Sequence, residues 1–466
     1  MIIAGLISVP LAGALAAYLS KSGRTARFIL ILAATVHAVL CGLLIYSDSQ
    51  LEITRTLTLA PDREGIVILA VTSLLFLLTS LHLNYWLPQD MQNSDGHCGM
   101  KEHTFAVLLL LFLMTMTLTA LARDFGMLWV AVEGTTLASA PLINFHKSKG
   151  SLEAMWKYLL ICSVGIGLAL FGTMVLAAAL TDPHCSLSFA AVREVIAAGE
   201  VNILWFKIAF VLCFAGYALK MGLAPFHSWL PDAHSEAPAP VSALLSGSLL
   251  NCAFLAILRL WQVIPAELLE FCGGYLKFFG FFSLAVAAFF IINQKDFKRM
   301  LAYSSVEHMG LIALFTAYAL PEYGMLHVFS HSLTKMALFL VAGNILLSYH
   351  TRSIKDVRGL FSRLPKNGTL WICGMLLICG TPPSPLFFTE LILVAGSGII
   401  PGMAILLLLL IIFCAMSQRM LQMAAPGTEK IVPDPQTDKL AAVPAAAMLL
   451  ITLLGIAVGA AWIIRG

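Results

Sequence analysis

Residues 203–250 read ILWFKIAFVLCFAGYALKMGLAPFHSWLPDAHSEAPAPVSALLSGSLL. The stretch opens with an apolar run of the length a membrane span needs, about 20 residues. Near its end stands Lys220, followed at once by Gly222, Ala224 and Pro225. Proline removes a backbone donor and clashes with the preceding turn, so the span breaks beside its own charge. A polar passage containing His227 follows, and a second apolar run begins near residue 240. In lipid, an interrupted helix is tolerated only where it lines a cavity or is buried in protein.

The rest of the chain repeats this apolar texture. Of 466 residues, 59% are hydrophobic and 11% charged, with a mean hydropathy of +0.90. A soluble domain averages about 45–50% apolar and about 25% charged residues. The composition excludes a soluble enzyme, a disordered chain, a secreted disulfide scaffold and a nucleic-acid binder. Apolar runs between polar breaks define candidate spans at 2–20, 26–46, 66–86, 104–122, 124–143, 154–180, 203–223, 240–261, 273–293, 300–319, 323–348, 368–397, 398–420 and 443–463. No dyad alternation appears, and backbone polar groups cannot stay unpaired in lipid, so these are helices and not barrel strands. The fold class is therefore an all-α integral membrane protein with about 14 spans.

Basic residues gather in one set of loops, notably Lys295, Lys298, Arg299, Arg352, Lys355, Arg358, Arg363 and Lys366. The positive-inside rule puts these loops in the cytoplasm and both termini outside. The N-terminal run lacks a basic region before it and reads as a retained first span, not a signal peptide. The cysteines lie mostly inside apolar runs, and no C-x-x-C pair exists. That argues against iron–sulfur clusters, structural zinc and disulfides. No phosphate-binding loop of the G-x-x-x-x-G-K-[ST] or G-x-G-x-x-G type is present. No cofactor and no metal is expected in the chain, so its energy comes from an ion gradient or from partner subunits.

Four charges stand where lipid disfavours them: Glu133 in MLWVAVEGTTLASAPL, Lys220, Lys335 in HVFSHSLTKMALFLVAGNIL and Glu390 in PLFFTELILVAG. Each costs about 2.5–3.5 kcal/mol at a helix centre. A low dielectric disfavours the charged form of any such group, which lets it load and release protons. Ion pairs gluing helices together are the competing reading. His327, His331 and Lys335 recur at i, i+4 and i+8, within an arc of roughly 80° on one helix face. That stripe suits a proton relay. Two histidines four apart can also share a zinc, but no H-E-x-x-H motif accompanies them. His308 follows Glu307 near the basic end of the tenth span; His308 is a relay candidate, and Glu307 reads equally well as a surface acid. His227 is a candidate proton-entry group or a solvated loop histidine. The twelfth span carries GTPPSP, Gly380–Pro385, just before Glu390. Breaks beside ionisable residues in two halves of a chain point to transporter-type internal repeats.

The segment KMGLAPFHSWLPDAHSEAPAPVSALLSGSLL, Lys220–Leu250, resembles the antiporter-like subunits shared by respiratory complex I, multisubunit cation/proton antiporters and membrane-bound hydrogenases. WVAVEGTTLASAPL around Glu133, KDFKRMLAYSSVEHMG and HVFSHSLTKMALFLVAGNIL match as well. The texture of EGTTL, HSWLPDAHSEAPAP and LLSGSLLN is similar to the F component of hydrogenase 4 and related NiFe-hydrogenase membrane arms. The resemblance implies fourteen helices with two inverted five-helix repeats and broken helices 7 and 12. It divides the chain into 1–103, 104–262, 263–420 and 421–466. It implies that Glu133 and Lys220 form an input pair, that the histidines and Lys335 carry a connecting path, and that Glu390 is the exit group. Partners are then other membrane subunits and, through them, a peripheral arm with NiFe and Fe–S centres, in a bacterial or archaeal plasma membrane. The transported ion is the proton, with sodium as the alternative. A sodium/proton antiporter subunit, a quinone-reductase subunit and a non-conducting scaffold are the other readings. One departure is visible: where relatives carry a basic residue in the eighth span, this chain has Ser246, near Ser248 and Asn251.

Overall fold

The computed structural model describes residues 1–20, 22–48, 59–93, 99–181, 185–426 and 434–465. Its elements are helical: α1 (Ile2–Ser20), α2 (Gly23–Asp48), α3 (Arg63–Asn93), α4 (Glu102–Leu121), α5 (Phe125–Ile143), α6 (Lys149–Ala179), α7 (Phe189–Ala197), α8 (Ile203–Met221), α9 (Trp229–Glu236), α10 (Ala239–Leu244), α11 (Leu250–Trp261), α12 (Leu269–Ile292), α13 (Phe297–Ala317), α14 (Pro321–Tyr349), α15 (Leu360–Arg363), α16 (Pro365–Ile378), α17 (Pro385–Gly396), α18 (Ile399–Ala424) and α19 (Ala442–Arg465). Among the described residues, 12 helical stretches are long and apolar enough to cross a membrane, and they coincide with twelve of the expected spans. The other two expected spans are special. At 300–319 lies α13, whose Ser304, Ser305, Glu307 and His308 dilute its apolar run, yet it is buried along nearly its whole length. At 368–397 the chain forms two short helices, α16 and α17, separated by the proline break.

Burial sorts the helices by what they carry. Ala239–Trp261 is 100% buried and Pro321–Tyr349 is 94% buried, whereas Ile2–Ser20 and Ile399–Ala424 are each only 28% buried. The polar side chains ride on the helices that protein surrounds, and the purely apolar helices turn their flanks outward, as lipid solvent requires.

The chain divides into two compact units. The first comprises Met1–Leu77, Gly99–Trp229 and Ser248–Leu276; the second comprises Leu78–Cys98, Leu230–Gly247 and Lys277–Gly466. In the first unit, α6 and α8 form the most extensive helix pair. A Cβ at Gly216 would overlap the Gly165 carbonyl, and one at Gly172 would press on the Cys213 backbone. Glycine at these positions lets the two backbones approach, which is how small residues drive packing in lipid. Arg259 of α11, 1% exposed, lies in the interior, donating to the Thr119 carbonyl at 2.8 Å and the Ala120 carbonyl at 2.6 Å and pairing with Asp62 at 3.1 Å. The last carbonyls of α4 have no intrahelical partner, and the guanidinium satisfies them.

In the second unit, α14 packs on α10, α13, α16, α17 and α19. Asp296 caps α13, its carboxylate accepting from the Lys298 and Arg299 amides. Beside it, Arg352 donates to Glu236 at 2.7 Å, Arg299 pairs with Asp232, and the Lys298 ammonium donates to the Ala237 carbonyl at 2.6 Å.

Candidate proton-transfer site

The first unit gathers one cluster of ionisable groups. α8 ends at Gly222, whose φ of +79° closes the helix in the left-handed region, and Lys220 sits in its last turn with 0% exposure. Its ammonium donates to the Thr136 hydroxyl at 2.6 Å and to the Tyr158 hydroxyl at 2.8 Å. Glu133, one turn before Thr136 on α5, accepts from the Thr136 hydroxyl at 3.2 Å and from Ser163 at 3.0 Å. The expected pair therefore does not touch: Thr136 stands between, accepting from the ammonium and donating to the carboxylate. Tyr158 in turn bonds Ser139 at 2.7 Å and packs on Trp229, with ring centroids 4.9 Å apart. Trp229 is anchored by its indole N–H on the Leu219 carbonyl at 3.0 Å. The chain after the break thus folds back over the lysine. His227, half-buried in the short 3₁₀ turn Phe226–Ser228, stands just before that indole and not in an open loop.

The second unit gathers the other cluster. α13 and α14 run as a hairpin, so His327, His331 and Lys335 meet α13 in descending order. The His308 ring lies 5.1 Å from that of His327 and 4.9 Å from that of His331, centroid to centroid. Two turns along, the Lys335 ammonium donates to the Leu301 carbonyl at 2.6 Å and to the Ser304 hydroxyl. The spacing inference that these three share a face holds. His308 and His327 bond directly, Nδ1 to Nε2, at 3.0 Å. The other nitrogen of His308 meets the Ile378 carbonyl at 3.1 Å, and that of His327 meets the Thr389 hydroxyl at 2.9 Å. Ile378 ends α16, so its carbonyl is one that the helix break leaves for a side chain to use. Glu390 follows Thr389 on α17, and its carboxylate packs against Gly380, at φ +61°, where a Cβ would overlap it. The break thus shapes the acid's niche as well.

Sequence reading missed several contributors. Glu307 is 4% exposed, on the same helix as His308; the basic residues just before it make a surface position equally plausible from sequence. Thr136, Tyr158 and Ser163 carry no charge and so gave no signal. His234, 0% exposed, stacks on Phe339 at 4.9 Å. Ser246 bonds Ser305 at 2.9 Å. It lies in a π-turn, Leu245–Leu249, a distortion that recurs at functional sites. The Ser248 hydroxyl finds no protein partner, which suits a water-binding position.

Comparison with known proteins agrees with this architecture. Residues 122–418 match the family described as the transmembrane part of the NADH:quinone oxidoreductase/Mrp antiporter proteins. The hydrogenase-4 component F homolog of Methylacidiphilum infernorum is 34% identical over 356 residues, 72% of this chain and 72% of that protein. The archaeal membrane-bound sulfane sulfur reductase contains a chain that superimposes with a TM-score of 0.85 at 20% identity, covering 99% of this chain and 95% of that one. A subunit of the Mrp complex from a Dietzia species gives 0.83 at 18% identity, covering 98% and 94%. Fold and buried ionisable clusters together define an antiporter-like membrane subunit. The chain belongs to the family of NADH:quinone oxidoreductase/Mrp antiporter membrane subunits.

Proposed function

We propose that this chain moves protons across the membrane as a subunit of a complex I-like redox assembly of the membrane-bound hydrogenase type. One observation carries the reading: a wholly buried lysine whose ammonium reaches a carboxylate through a single hydroxyl. Thr136 takes a proton from Lys220 as it gives its own to Glu133. One N–H bond breaks, one O–H bond forms on the carboxylate, and the hydroxyl is regenerated. The transfer needs no side-chain displacement beyond the hydroxyl's own rotation. An ammonium in the midst of the cluster repels a sodium ion, which favours the proton as cargo.

In the second unit, the same logic gives Lys335, His331, His308, His327 and Glu390 the role of a second loading station, with Glu390 nearest the exit. His227 is the entry-side group. The stretches 104–262 and 263–420 are the two inverted repeats that would carry one station each. The partner assembly supplies the NiFe and Fe–S chemistry of a peripheral arm, on the analogy of the hydrogenase-4 relative. Electron flow there changes the charge seen by the membrane subunit and biases its lysines between protonation states. The basic loops face the cytoplasm of a prokaryotic plasma membrane, with both termini outside.

The test is Lys220→Met in the intact complex reconstituted into vesicles. Proton movement is abolished while the complex stays assembled; unchanged proton movement would remove the assignment. The antiporter reading draws on the family itself, whose description includes Mrp antiporters. It predicts proton movement driven by an imposed sodium gradient without any electron donor.

A further inference from the structure

The hydrogen bonds around His308 and His327 turn one nitrogen of each ring towards the other. The Ile378 carbonyl can only accept, so the Nε2 of His308 carries a proton and donates at 3.1 Å. The Thr389 hydroxyl donates its one proton to the Leu386 carbonyl at 2.9 Å. Towards the Nδ1 of His327 it is then an acceptor, and that nitrogen carries a proton too. In this arrangement, assigned from the network, the two neutral rings have spent their only N–H groups. Their remaining nitrogens then face each other at 3.0 Å, so the two lone pairs are placed to share a proton or to bind a metal ion. One nitrogen of each ring and a Glu390 carboxylate oxygen all lie within 4.8 Å of one another.

The geometry points to His308, His327 and Glu390 as a capture site for a divalent transition-metal ion such as Zn²⁺, which competes there with the proton. Two imidazoles and a carboxylate are the donor set that zinc prefers, at about 2.0–2.2 Å from each ligand atom. Ligand atoms around such an ion stand roughly 3.3 Å apart, which these three reach by small side-chain rotations. Both histidines already have their outer N–H groups on fixed acceptors, which sets tautomer and ring orientation for binding. The ring of His331 lies 4.9 Å from that of His308, and neither of its nitrogens is hydrogen-bonded. Glu390 is the one of the three ligands that keeps some exposure, 9% against 0% for both histidines. The binding claim stands on geometry alone. Its consequence, that bound zinc halts proton movement, rests on the proposed function.

The experiment uses the intact complex and zinc itself. After equilibration with Zn²⁺ and removal of loosely held ions, metal content is measured alongside proton movement in vesicles. The parent retains one zinc per chain and loses proton movement, and a chelator restores it. Glu390→Gln lowers zinc affinity at least 10-fold. Thr389→Val, which keeps all three ligands but removes the acceptor for His327, lowers it about 10–100-fold. No retained zinc, or equal affinity in the parent and both variants, overturns the site. Zinc bound in the parent and weakened in both variants, with proton movement unaffected, upholds the site and instead overturns the proposed proton role of His308 and His327.

Discussion

Thr136 is the residue on which the first cluster turns. It makes the only described link between the Lys220 ammonium and Glu133. A hydrogen bond to a charged group contributes about 1.5–3 kcal/mol, and every 1.36 kcal/mol is tenfold in rate. Thr136→Val therefore slows proton movement by roughly 10–100-fold, and Thr136→Ser restores it, both measured as acidification in reconstituted vesicles. A valine variant as fast as the parent would show that the hydroxyl does not relay. Gly380 plays a matching role by absence: Gly380→Ala drives a methyl group into the Glu390 carboxylate. That variant assembles normally but loses proton movement; full retention would argue that Glu390 can work from another position. Lys220, Glu133, Lys335 and Glu390 were legible from sequence because a charge inside an apolar run contradicts its surroundings. Thr136 and Tyr158 were not, since hydroxyls are unremarkable in membrane helices and only the fold shows what they touch.

At the scale of elements, the breaks organise both clusters. Gly222 ends α8 two residues beyond Lys220, and the Ile378 carbonyl freed by the α16–α17 break holds His308. Proline and glycine advertise such breaks in the sequence, so their places were foreseen. The π-turn at Leu245–Leu249 was not, because no residue type marks it. Nor do the partners of Arg259 show in the sequence, since Asp62, Thr119 and Ala120 lie at least 139 residues away along the chain. Removing one partner of a buried charge pair costs about 3–5 kcal/mol, and Arg259 also satisfies two carbonyls at the end of α4. Arg259→Leu accordingly lowers the thermal unfolding midpoint of the detergent-solubilised protein markedly, although the residue touches neither cluster. An unshifted midpoint would mean that Asp62 and those carbonyls find water instead. Gly216→Leu separates α8 from α6 and should impair proton movement through Lys220 without touching a titratable group.

For the whole molecule, hydropathy alone located the spans, because lipid demands an apolar exterior of every helix that faces it. Hydropathy does not say which helices group together. The two compact units interleave along the chain, with 230–247 and 248–276 falling into different ones, and no local pattern announces that exchange. Two cluster-bearing units within one chain suit a machine that moves charge in stages. The account's central claim is that the buried acids and ammonium groups move protons and do not merely hold helices together. Its most direct test is the number of protons displaced per electron pair by the intact complex carrying Glu133→Gln, Lys220→Met and Glu390→Gln together. The account predicts that this number falls by the chain's entire share while the complex remains assembled; a ratio equal to the parent's would contradict it.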